Sequence, residues 1–96
     1  MIVHIVMFKF KDENKDENIQ KAKEMLIGLD NDLDIIKQME VGINFDESER
    51  AFDMSLYSKF NSKEDLSTYA THEKHLEVVA FIKSVAQESK VVDYEI

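Results

Sequence analysis

The chain has 96 residues, a length at which one domain (residues 1–96) with one modest core is expected. It carries 20 acidic side chains against 12 Lys and Arg, a formal net charge of −8. Such a surface repels phosphate backbones and anionic membranes, so neither nucleic acid nor membrane is an expected partner. The absence of cysteine excludes a disulfide framework and a thiolate metal site, and 44% hydrophobic residues argue against disorder.

The opening MIVHIVMFKF is apolar, but His4 and Lys9 interrupt it. It has no basic leader and no small-residue cleavage site after it, so it reads as a strand over residues 2–11, not as a signal peptide or a membrane span. A cytoplasmic location is the default expectation. His4, Val6, Phe8 and Phe10 share one face of this strand and Val3, Ile5 and Met7 the other. Both faces are apolar, so both need covering. DENKDEN follows as a solvated acidic turn. It lacks the glycine and terminal glutamate of a calcium loop, while Asn14 with Glu17 three later resembles a capping box.

A helix is predicted over residues 15–30, with Ile19, Ala22, Leu26, Leu29 and Leu33 on one face and a DND turn at its end. A strand is predicted within residues 35–45, where Met39, Val41, Ile43 and Phe45 alternate with Gln38, Glu40, Gly42 and Asn44. After the polar DESER, a third strand over 51–60 places Phe52, Met54, Leu56 and Phe60 together. Ser62 with Asp65 three later marks a short helix whose apolar side carries Leu66, Tyr69 and Ala70. A second helical stretch over 73–85 aligns His75, Val79, Ile82 and Ala86. The closing KVVDYEI is a strand with Val92, Tyr94 and Ile96 on one side.

The order β-α-β-β-α(α)-β predicts an α+β fold. It is a ferredoxin-like sandwich, a four-stranded antiparallel sheet with helices on one face. The other sheet face would expose Val3, Ile5, Met7 and one side of the last strand. A partner sheet would cover it, so a homodimer with two sheets face to face is expected.

YATHEKH concentrates the candidate chemistry, Tyr69, His72 and His75, and leaves three readings open. His72 and His75 are three apart and could share a helix side, but a metal site needs further ligands. Glu73 and Glu77 lie on other faces, so no metal is expected. His75 could serve as a general base, since imidazole titrates near neutral pH, with the Tyr69 phenol as hydrogen-bond donor to a developing enolate. The plainer reading, which takes precedence, is that His75 fills a core gap and bonds a backbone carbonyl or Tyr69. His4 on an apolar face reads first as a satisfied core histidine, His72 as a polar joint between two helices, and Asp93 as an acceptor near the sheet edge.

Four segments together resemble the stress-responsive α/β-barrel (Dabb) domain family: HIVMFKFK, EVGINF, FDMSLYSKFNSKEDLSTYATHEKH and VVDYEI, in the family's order across essentially the whole chain. The resemblance implies a ferredoxin-like fold and a homodimer enclosing a barrel-like interior, a dimeric α/β barrel. It also implies kinship with plant stress-related proteins and with olivetolic acid cyclase, which closes a polyketide by aldol-type chemistry without metal or organic cofactor. The cyclase's acid–base pair matches Tyr69 and His75, and a pocket-lining histidine of its first strand matches His4. Two departures stand out. Glu73 replaces the family's usual proline, and Met54 stands where the cyclase has a third-strand histidine. Where the cyclase has large aromatics the chain has Ala22, Lys23 and Leu26, so the same substrate is not expected. The expected function is a Dabb homodimer, stress-related, with a small-molecule pocket lined by His4, Phe8, Met54 and Leu26 and no cofactor. The alternatives are a cyclase-like enzyme using His75 and Tyr69, and a purely structural dimerisation module.

Overall fold

The computed structural model describes all residues, Met1–Ile96. The elements run β1 (Ile2–Phe10), α1 (Lys15–Asp32), β2 (Gln38–Ile43), β3 (Met54–Phe60), α2 (Lys63–Thr71), α3 (Glu73–Val85) and β4 (Ala86–Glu95). The sheet is antiparallel with order β2-β3-β1-β4. The ferredoxin-like expectation therefore holds, with the helices packed on one face.

Alternation along β1 sorts its side chains. Ile2, Phe8 and Phe10 enter the core against Met54, Leu56 and Phe60 of β3, Ile19, Ala22, Leu26 and Leu29 of α1, Tyr69 of α2, and Val78 and Ile82 of α3. Burial of each large apolar side chain contributes about 1.5–3 kcal/mol, so this layer dominates stability. The one buried polar residue, Ser58, donates its hydroxyl to the His4 carbonyl at 3.1 Å and is thereby satisfied. On the opposite, helix-free face, Val3 is buried while Met7, Val92 and Tyr94 remain exposed.

Several boundaries differ from the sequence reading. The DND turn is the last part of α1. Asn14 does not form a capping box. It adopts a left-handed conformation (φ 51°) without a side-chain cap bond, a geometry that asparagine tolerates better than most residues. Ser62 does cap α2, its hydroxyl accepting from the Asp65 amide at 3.1 Å. β2 stops at Ile43, so Phe45 falls in the β2–β3 loop and is 97% exposed rather than in line with Met39 and Val41. The core row of α3 is Val78 and Ile82 rather than Val79, and Ala86 already belongs to β4. β4 is four residues longer at its start than the apolar pattern indicates. Gln87, Glu88 and Ser89 extend it because β1 offers backbone partners, not because their side chains are buried. No helix is long and apolar enough to cross a membrane.

Candidate functional site

The helices rest on β2, β3 and β1, and α3 meets β4 where one runs into the other. The helix-side surface of β4, including Val91 and Asp93, is consequently left open, and a groove lies between the C-terminal end of β4 and α2. One end of the groove deepens into a hollow of about 310 Å³ lined by Ile2, Lys63, Leu66, Asp93, Tyr94 and Glu95. Asp93 lines this hollow; His4, Tyr69 and His75 do not, and they connect to it through Asp93.

β1 and β4 pair so that His4 lies directly opposite Asp93, which puts both side chains on the helix face. The His4 Nδ1 lies 2.5 Å from an Asp93 carboxylate oxygen. A carboxylate only accepts, so Nδ1 carries the hydrogen and Nε2 is left for another partner. From β1 the rings continue into the interior. The His4 ring is 6.3 Å from Tyr69 and 6.5 Å from Phe60, both edge-on. Tyr69 in turn lies 5.0 Å from Phe60 and 4.3 Å from His75.

Tyr69 comes from the inward face of α2 and His75 from the first turn of α3. The sharp joint between those helices lets the two rings meet. His72 makes the joint. Its backbone is extended, and its Nδ1 accepts from the Lys74 amide at 3.0 Å, capping α3. With its ring committed there, His72 separates from His75, one histidine capping α3 and the other packing against Tyr69.

The electrostatics of the pair are set by burial. Tyr69 is 1% exposed, and its hydroxyl is the one buried side-chain polar atom with no hydrogen-bond partner. Leaving such a group unpaired costs about 1–3 kcal/mol. Burial also pushes the phenol up to about 12, so it is a neutral donor at physiological pH. His75 donates Nδ1–H to the Ala70 carbonyl at 2.9 Å, leaving the Nε2 lone pair available. Burial holds its pKa below the usual imidazole value. The bond to Ala70 opposes this shift, and the neighbouring charges of His4 and His72 reinforce it. A neutral base and a neutral donor therefore stand ring to ring.

The other expected lining residues lie elsewhere. Phe8 and Leu26 are packed into the main core. Met54 is buried too and borders a different hollow, of about 560 Å³, under the β2–β3 loop beside Met7, Phe45 and Phe52. The pocket expected from the sequence thus divides, with His4 bonded to the groove residue Asp93 and Phe8, Leu26 and Met54 away from it. Sequence reasoning missed two members of the cluster. Asp93 was read only as an acceptor near the sheet edge, and Phe60 only as core. The β1–β4 register would have exposed the Asp93 contact, but nothing local in the sequence encodes that register.

Comparison with known proteins agrees with this architecture. Residues 2–96 match the description of the stress responsive A/B barrel domain. Stress-response A/B barrel domain-containing protein DABB1 of Arabidopsis thaliana is 31% identical over 99 aligned positions, which cover 98% of this chain and 46% of that protein. The chain spans less than half the length of the curated relatives it matches. Among solved structures, a dimeric protein of unknown function and ferredoxin-like fold from Bacteroides fragilis superposes with a TM-score of 0.90 at 31% identity, covering 99% of this chain and 95% of that one. A hydroxynitrile lyase from Passiflora edulis superposes at 0.88 with 19% identity, covering 99% and 92%, a likeness of fold alone. The chain belongs to the stress-responsive A/B barrel domain family.

Proposed function

We propose that the protein is a homodimer, joined through the helix-free sheet face (Val3, Ile5, Met7 and β4), that binds a small carbonyl-bearing molecule in the groove at Tyr69 and His75. The observation that carries the binding reading is the orphaned Tyr69 hydroxyl. A buried donor without a partner destabilises the fold by itself, whereas a ligand oxygen beside it would recover that loss. The dimer reading rests on the apolar sheet face and on the dimeric state described for the Bacteroides fragilis fold-mate. Stress-related work is the setting that the family description suggests.

The state of His75 favours a second reading, cofactor-free proton transfer at the bound molecule. Its Nε2 can remove a proton from carbon adjacent to a carbonyl, while Tyr69 donates a hydrogen bond to the oxygen on which charge develops. The fold accommodates a protein described as a lyase, which is compatible with catalysis and does not specify it. The test is a thermal-shift screen of small β-dicarbonyl compounds and aromatic acids, followed by deuterium uptake from D2O into any binder. Binding is expected to raise the melting temperature of the wild type and not of Tyr69→Phe. Proton transfer is expected to vanish in His75→Gln. A panel without a single hit at saturating concentration, or a Tyr69→Phe variant that loses about 1 kcal/mol or more of stability because the hydroxyl is already satisfied, would leave the purely structural dimer as the better reading.

A further inference from the structure

We propose that the second copy of the chain completes the Tyr69–His75 site, acting through β4. This rests on the dimer and groove described above. The link is the three-residue run Val92-Asp93-Tyr94. Successive strand residues point to opposite faces, so Val92 and Tyr94 project from the helix-free face while Asp93 projects into the groove. The same run therefore offers an apolar surface to a partner on one side and holds the His4 imidazole on the other.

In a single chain β4 is held by its backbone ladder to β1 and by almost no side-chain burial. Every residue from Gln87 to Glu95 is exposed, and β4 is bonded only to β1 along one edge. Strands with few buried contacts open at the low end of a protein's range of local stabilities. When β4 opens, Asp93 leaves and the His4 ring loses the bond that fixes it beside Tyr69. A sheet packed over Val92 and Tyr94 buries them and suppresses that opening.

The occupant that fits is another copy. The chain as a whole is strongly acidic, which disfavours self-association, yet this face is different. Its strand residues include Lys9, Lys59 and Lys90 against Glu40 and Glu88, a balance of +1 from three positive and two negative charges. Two such faces can meet without the repulsion that the rest of the surface imposes, and a fold-mate at 31% identity is described as dimeric.

The experiment compares the wild type with Ile5→Lys, which alters β1 and leaves β4 intact, and with Val92→Glu. Light scattering at about 10 µM is expected to give a dimer for the wild type and monomers for both variants. In hydrogen exchange, the β4 amides of the monomers should lose about tenfold protection or more, while β3 amides change by less than about twofold. The 15N signal of His4 Nδ1 should move away from its carboxylate-bonded position. Dilution of the wild type below its dissociation constant should reproduce all of this if a variant fails to fold. A folded monomer that keeps wild-type protection in β4 and the His4–Asp93 signal overturns the inference, as does a wild type that is monomeric with a protected β4. Neither readout needs a ligand, so failure of the small-molecule reading leaves the test intact. Full ligand binding by a monomeric variant, conversely, would support the groove and sink the coupling.

Discussion

β1 is bordered by two strands, β3 and β4, both antiparallel to it and both bonded along most of its length. β3 buries Met54, Leu56, Ser58 and Phe60 beneath the helix layer, whereas β4 buries nothing between Gln87 and Glu95. The ladders are of the same kind, so backbone bonding does not distinguish them. The side-chain types do not either, since Val91, Val92 and Tyr94 are good strand formers. What differs is the covering. α1 and α2 reach β1, β2 and β3, and the helix layer leaves β4 open. The difference teaches that one strand of this sheet is specified by the chain's own core and the other by its backbone ladder to β1 alone, and the candidate site lies along the border between them.

The sharpest way to break this contrast is truncation on each side. Phe60→Ala should cost about 3–5 kcal/mol in chemical denaturation, because it empties a fully buried position. Val91→Ala, on the exposed groove side of β4, should cost under about 0.5 kcal/mol. Comparable losses at the two positions would show that β4 is as firmly covered as β3. At the border itself, Tyr69→Phe should leave stability unchanged or raise it by about 1 kcal/mol, since it deletes a buried hydroxyl that lacks a partner. A loss of about 1 kcal/mol or more would mean that the hydroxyl is satisfied in solution.

A third test uses pH. The folded state holds His75 below its ordinary value, so just below pH 6.5 the unfolded chain binds the proton more readily than the folded one. This contribution to stability is fully present above about pH 6.5 and declines as the pH falls from there toward the lowered folded value. His75→Gln should flatten that part of the stability–pH curve, and an unchanged slope would remove His75 as its source. The gentlest measurement is an alkaline absorbance titration, in which Tyr69 should ionise at about 12. A phenolate signal for Tyr69 near pH 10 would mean that water reaches the hydroxyl freely.

Much of the fold was legible because its elements obey simple periods. Alternation in HIVMFKF and in Met54–Phe60, the three-and-four spacing from Ile19 to Leu29, and the Ser62 cap each act locally. The errors fell where local rules compete with tertiary contacts. Phe45 continued the apolar alternation of β2, yet no β3 residue pairs with it. Gln87–Ser89 show no apolar pattern, yet β1 draws them into the sheet. Of the candidate site, Tyr69 and His75 could be singled out from YATHEKH, and the separate duty of His72 could be read as a joint. The withdrawal of Phe8, Leu26 and Met54 from the groove could not, since it depends on which stretch of sheet each helix covers.

The sequence by itself determined the element order, the two-faced character of β1, the acidic surface and the tyrosine–histidine run, because these follow from residue type and spacing. Only the tertiary structure decided that Asp93 faces His4, that the Tyr69 hydroxyl is buried without a partner and that His75 spends Nδ1 on Ala70. Those are contacts between segments far apart in the chain or turned toward each other by a helix joint. Register, packing and burial fix them together, and no short stretch of residues encodes any of the three alone.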